Sequence, residues 1–420
     1  MTSPPLQNSK NIIEEIKANF SVVYSTLELL DKELDKEELL TSYKFISDNI
    51  KNTTNYIREE LSTISEQAKR YERTCVNSPL QISFYKSNPG VIFSYRNNLR
   101  EFSDQIRRQI DNLSLNIGKS LAAYILVYET LEKFGFKVPF ILIESNEFTS
   151  RTLINYIFSE FDALGSSVIK HKRCDARIIT YSGMEISNPL SLLIIGHETF
   201  HIINEIDKVF HNFCELNSIK KDKRTEEAFV DIMSNLYFGP VYSYTTLKYF
   251  QKTYPLSGES HPEMSTRLLM LSYLNKQFKL SDKEDDTLNN FINTLERRMS
   301  DIALENARKD KKQLDNMISK NVESYIREYF NIKGIATYDE FKNIVEEREF
   351  NIDIEKINRN KIIYMLNANI PLGIRPTTLL NTLYENNKID NIDPKLIVSS
   401  FKKWYVRRYY HKHIEIYGNQ

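Results

Sequence analysis

The stretch Gly196-His197-Glu198-Thr199-Phe200-His201 follows the apolar run Leu190-Ser191-Leu192-Leu193-Ile194-Ile195 and decides how the rest of the chain is read. An α-helix sets residues four apart on one face, one turn above the other, so His197 and His201 can both point at one metal ion while Glu198 stands beside it. The residue types match that task. Two neutral imidazoles hold Zn²⁺ and leave a position for water, and an adjacent carboxylate takes that water's proton. With seven His among 420 residues, a pair at this spacing around a glutamate rarely arises by accident. The competing reading is two buried histidines on a core helix. Leu192, Ile195, Phe200, Ile202, Ile203 and Ile206 make the segment apolar on nearly every side, as expected of a helix running through a domain centre.

Upstream, Asn188-Pro189 offers an N-cap and a first-turn proline for this helix. Short apolar or β-branched runs at 138–144, 167–170 and Arg177-Ile178-Ile179-Thr180-Tyr181 predict strands. Thr149-Ser150 reads as the cap of a helix over 152–161.

A catalytic zinc site needs a third protein ligand, and two residues compete for the role. Asp207 lies six residues after His201, where a metzincin-type site has its ligand. That geometry needs a sharp turn at Asn204, and the surrounding isoleucines continue the helical spacing instead. Glu227, in Thr225-Glu226-Glu227-Ala228-Phe229-Val230-Asp231, is the better candidate. It shares a helical face with Asp231, so one carboxylate can bind metal while the other accepts the outer N–H of a ligand imidazole. Further on, Ser260-His261-Pro262-Glu263 has capping-box spacing and leaves His261 at a helix start, free to hydrogen-bond a developing oxyanion. Arg267 reads as an anchor for a carboxylate or carbonyl.

In order, HExxH, ExxxD and HPxxxxR resemble the gluzincin clan of zinc metallopeptidases, and in particular the family of CaaX prenyl proteases, their heat-shock relatives and soluble minigluzincins. The resemblance covers roughly residues 138 to 275. It implies a zincin core: a backing helix, a small mixed β-sheet, the HExxH helix and a glutamate helix. It also implies one zinc ion per chain held by His197, His201 and Glu227, with Glu198 as general base and Asp231 supporting a ligand histidine. His261 corresponds to the histidine of the HP motif, and strand 177–181 to the edge strand that pairs with an extended peptide substrate. Two departures stand out: the transmembrane helices of the membrane-bound members have no counterpart, and Val230 precedes the aspartate where alanine is common.

The fold expected is α+β and mainly α-helical, with an N-terminal helical region over 1–135, the zincin-like core over 136–278 and a C-terminal helical region over 279–420. Apolar stripes through Ile12, Ile16, Phe20 and Leu27, then Leu39, Ile46, Ile57 and Leu61, support the first; those through Leu288 to Met299 and Met317 to Phe330 support the last. Both flanks are candidate partner or oligomer surfaces. Lys plus Arg and Asp plus Glu number 56 each, so no global field attracts nucleic acid, and the basic aromatic tail Phe401 to His413 reads as a packed helix with a solvated edge. The three cysteines, Cys75, Cys174 and Cys214, favour a reducing compartment, and no secretion signal or membrane span is evident, so the expectation is a cytoplasmic protein. The leading functional reading is a zinc-dependent peptidase acting on a protein or peptide; the rival is an interaction scaffold on a zincin core whose metal is structural.

Overall fold

The computed structural model describes residues 118–145, 149–152, 177–182, 191–252 and 301–338, with scattered positions in 13–28, 55–78 and 262–297 and residue 340. The second N-terminal stripe, the expected helix at 152–161 and strand at 167–170, His261, Cys75, Cys174 and the basic tail lie outside the described residues. What is described is mostly helical with one small sheet. By contacts the chain divides into two compact units, Met1–Ser120 with Val138–Tyr181, and Leu121–Lys137 with Ser182–Gln420. The expected boundaries at 135/136 and 278/279 are not where this division falls.

The first unit holds strands β1 (Phe140–Ser145), β2 (Thr149–Thr152) and β3 (Arg177–Ser182), in the order β1-β3-β2. β2 runs antiparallel to β3, with Thr149 opposite Thr180 and Thr152 opposite Arg177. On the other side the Arg177 amide donates to the Pro139 carbonyl at 2.9 Å. This corrects two expectations. Arg177 to Tyr181 form the central strand, so its backbone groups are engaged by both neighbours and are not open to an added substrate strand. Burial agrees, because five consecutive side chains from Arg177 to Tyr181 are buried. And Thr149-Ser150 begins a strand: pairing with β3 overrides the capping preference of the two hydroxyl residues.

The second unit is helical. Its first helix, α1 (Gly118–Lys133, counted here from Leu121), stops at Gly135. There a φ of 82° lets the Phe136 amide reach back to the Leu131 carbonyl at 2.9 Å, closing the helix in a Schellman-type turn. The turn leaves Phe134 buried, its ring edge-on to Phe200 at 5.6 Å and to Phe330 at 5.4 Å. Phe200 belongs to α2 (Ser191–Asp207), the motif helix, which is followed after the left-handed Lys208 by α3 (Val209–Asn217).

Helix α4 (Lys223–Phe238) starts where the Asp222 carboxylate accepts the Thr225 amide at 2.9 Å, an N-cap worth about 1 kcal/mol. It ends at Gly239, whose φ of 83° followed directly by Pro240 starts α5 (Pro240–Lys252). α2 packs on α4 and α5. One contact there requires glycine: a Cβ on Gly196 would lie 2.6 Å from Phe238 Cε2. The missing side chain lets the buried Phe238 ring press against the motif helix just before its first histidine.

The last described helices, α6 (Asp301–Ser319) and α7 (Val322–Ile332), pack on α4 and, for α7, on α3. Met317, Val322, Ile326 and Phe330 of the expected stripe are all buried. The C-terminal helices thus complete the core around the motif helix, because the faces of α3 and α4 turned from α2 are also apolar and need a partner. Among the described residues no helix is long and apolar enough to cross a membrane.

Candidate metal centre

The helix α2 period carries His197 and His201 to one face, and their Nε2 atoms lie 3.1 Å apart. The first turns of α4 bring Glu227 to the same point, Oε2 at 3.4 Å from His197 Nε2 and Oε1 at 3.3 Å from His201 Nε2. Among the described residues this is the one group of three or more His, Cys, Asp or Glu whose ligand atoms converge, all within 4.8 Å of one another. Three such atoms bound tetrahedrally at metal–ligand distances of about 2.0–2.2 Å would be separated by roughly 3.3 Å. The contacts of 3.1 to 3.4 Å approach that spacing, the two imidazoles meeting different oxygens of Glu227, so the three residues could hold a metal ion. Both imidazoles present Nε2 to the shared point, which is the arrangement of ligands rather than of two histidines satisfied elsewhere.

The electrostatics point the same way. Burial pushes the His197 imidazole down, but hydrogen bonds with Asp231 and Glu227 outweigh it and raise it to about 9. His201 is likewise raised, burial being overcome by the Glu227 carboxylate. Glu227 is held well below the usual carboxylate range by the same two imidazoles despite its own burial. The pocket therefore favours positive charge between an anionic carboxylate and two nitrogen ligands, a need a divalent cation meets. Glu198, one residue along α2 and buried, has its carboxyl raised by desolvation, which makes it a stronger base than an exposed glutamate.

Behind the triangle lies a second polar layer. Asp231 is completely buried and is gripped by Arg267, whose Nε donates to Oδ2 at 2.7 Å and whose Nη2 donates to Oδ1 at 2.8 Å. Burial opposes ionisation of Asp231, but the Arg267 charge and the His197 hydrogen bond hold its carboxyl far below the normal range. The expected anchoring role of Arg267 is realised on Asp231. The outer nitrogen of His197, Nδ1, lies 3.2 Å from Asp231 Oδ1 and 2.8 Å from the hydroxyl of Tyr242, which donates to Asp231 Oδ1 at 2.6 Å.

Tyr242 was not singled out by sequence reasoning. The signal that could have found it is Gly239-Pro240, which ends α4 and turns the chain so that the first turn of α5 faces the site. Its ring lies nearly parallel to that of His197, at 6.1 Å between centroids and 11° between planes.

Asp207 is elsewhere. It accepts from the Tyr329 hydroxyl at 2.7 Å and pairs with Lys333 Nζ at 2.6 Å, tying the end of α2 to α7. Asn204, where a metzincin-type turn would fall, stays helical. Its amide donates to Glu226 at 2.7 Å and its oxygen accepts the Phe210 amide at 2.7 Å, so the chain turns only at Lys208. Cys214 is buried among Phe-rich α3 with its thiol pushed up by burial to about 11, the state of a small hydrophobe and not of a ligand.

Comparison of the chain with protein-family models, with curated proteins and with solved structures returned no match.

Proposed function

We propose that this chain is a zinc-dependent peptidase of gluzincin type, with His197, His201 and Glu227 as the metal ligands and Glu198 as the general base. The observation that carries the reading is the convergence of the two Nε2 atoms and the Glu227 carboxylate in contacts of 3.1 to 3.4 Å, with Glu198 on the adjacent position of the same helix. A set of three protein ligands is the pattern of catalytic zinc, whereas structural zinc sites are closed by four, and three converge among the described residues. Zinc supplies a Lewis acid there, acidifying water towards neutrality.

The protein residues then have distinct tasks. Glu198, raised by burial, accepts the proton of the attacking water and returns it to the leaving amine, so the carboxylate ends the cycle unchanged. Glu227 neutralises part of the metal charge and, with the imidazoles, fixes the direction from which water meets the carbonyl. The reading includes a protein or peptide substrate and a cytoplasmic location, supported by three scattered cysteines that suit a reducing compartment.

The test is a comparison of wild type with Glu198→Gln on a peptide library in the presence of zinc. Cleavage by the wild type and its loss, by at least about a thousandfold, in a mutant that retains zinc supports the enzyme. Equal zinc content with no cleavage by either protein would replace it with a scaffold whose metal is structural.

A further inference from the structure

The outer nitrogen of a ligand histidine decides which tautomer it holds, and here three groups meet at it: His197 Nδ1, Tyr242 Oη and Asp231 Oδ1. Their protons can be counted. Asp231 is clamped by two Arg267 N–H donors and is ionised, so it can only accept. The Tyr242 hydroxyl has one proton, and its oxygen lies 2.6 Å from Asp231 Oδ1, a separation at which two acceptors would repel. That proton therefore goes to Asp231. The lone pairs of the phenol remain to accept, and at 2.8 Å the neighbour that can donate is His197 Nδ1–H. The direct line from Nδ1 to Asp231 is longer, 3.2 Å.

We infer that Tyr242 is a positioning residue of the metal centre: its hydroxyl, bonded to the Arg267-bound Asp231 and facing His197 Nδ1 at 2.8 Å beside the 3.2 Å approach of Asp231 itself, helps to hold His197 in the Nδ1–H tautomer that aims the Nε2 lone pair at the metal. The inference rests on the proposed zinc site and assigns a part of it to a residue outside the three sequence motifs. The chain Arg267, Asp231, Tyr242, His197 runs from a helical turn at 266–268 through α4 and α5 to α2, so one row of hydrogen bonds sets the rotation of the ligand ring about its own axis. A phenol at this place differs from a bare carboxylate. It adds a second acceptor at His197 Nδ1, 2.8 Å away, to the Asp231 oxygen at 3.2 Å, and is itself fixed by its bond to Asp231. All four groups are buried, so water does not compete for any of these bonds.

Tyr242→Phe keeps the ring and removes the hydroxyl. Zinc affinity of the purified full chain, measured by competition with a chromophoric chelator, should fall about ten- to a hundredfold, the range found when the supporting partner of a ligand histidine is lost. Ser243→Ala controls for damage to α5 in general. It removes a buried hydrogen bond to Asn235 one residue away and should leave zinc affinity unchanged. In zinc-loaded protein with ¹⁵N-labelled histidine, the protonated Nδ1 of His197 should give a strongly downfield N–H signal in wild type and in Ser243→Ala, displaced or lost in Tyr242→Phe. Wild-type affinity in Tyr242→Phe, or an equal loss in Ser243→Ala, would overturn the role of Tyr242 and leave the zinc site standing. A wild-type chain that binds no zinc would overturn both.

Discussion

Helix α4 carries one Arg–carboxylate pair at its first turn and another at its middle, and the two do different things. At the first turn, Arg224 Nη1 donates to both oxygens of Asp310 at 3.0 Å, joining α4 to α6 beside Asp222, Thr225 and Gln313. Two turns on, Asp231 receives two different nitrogens of Arg267 at 2.7 and 2.8 Å. The chemistry is the same and the surroundings are not. The Arg224–Asp310 pair lies beside the Asp222 cap and the half-buried Gln313 amide, with the arginine side chain 23% exposed. The Asp231 pair, at 0% exposure for the carboxylate, continues through Tyr242 to His197. One pair docks a helix; the other reaches a histidine of the candidate metal centre. A buried ion pair adds little net stability over a well-packed apolar pair, so only the second has a reason to be ionic that packing could not replace.

The largest effect expected from this contrast is that of Arg267→Ala, which strands the Asp231 carboxylate in the core and should destabilise the fold by about 3–5 kcal/mol in denaturant titration. A loss no larger than that of Arg224→Ala would erase the distinction. Next comes acid. Asp231 has its folded-state carboxyl depressed, so its stabilising contribution is fully present above the ordinary carboxylate value near 4 and drains as pH falls towards the folded value. The Asp231 contribution, read as the stability difference between wild type and the paired variant Asp231→Leu with Arg267→Met, should therefore be level from neutrality to about pH 5 and shrink below pH 4. Equal slopes would contradict the assignment. That paired variant should also bind zinc about ten- to a hundredfold more weakly even where its melting temperature is preserved. The smallest effect belongs to Arg224→Met with Asp310→Leu: a stability change within about 1–2 kcal/mol and zinc affinity equal to wild type. A zinc defect there would mean that the docking pair also serves the site.

How much of this was legible in the sequence differs by level. Local periodicity carried the motif helix, α4, the stop at Gly135 and the face of α7, because a buried helix writes its apolar residues at helical spacing. The pairing of His197 and His201 was legible for the same reason: both lie on one helix and the period alone brings them together. Glu227 and Asp231 also share a helix face, and their relation to the histidines depends on α4 meeting α2, which spacing suggests but cannot fix. Tyr242 was hidden because nothing about a tyrosine in an apolar helix marks it; its partners sit on two other helices. Two of the described strands, β1 and β3, were legible, and β2 and the strand order were not. Whether Arg177 to Tyr181 lies at an edge depends on the partner β2, a four-residue segment whose Thr-Ser start looks like a helix cap until it pairs. The partners of the C-terminal helices were hidden for a related reason: apolar stripes show that α6 and α7 bury a face, not that both pack on α4 and α7 also on α3.

The central claim is that His197, His201 and Glu227 together bind one zinc ion. X-ray absorption at the zinc edge, with metal content of the purified wild type and Glu227→Ala, tests it most directly. The account predicts one zinc per chain with two imidazoles and carboxylate oxygen at about 2.0–2.2 Å, and loss of that zinc in Glu227→Ala with retention in Asp207→Ala. A wild type that binds no zinc, or a Glu227→Ala protein that keeps an unchanged zinc spectrum, would contradict it.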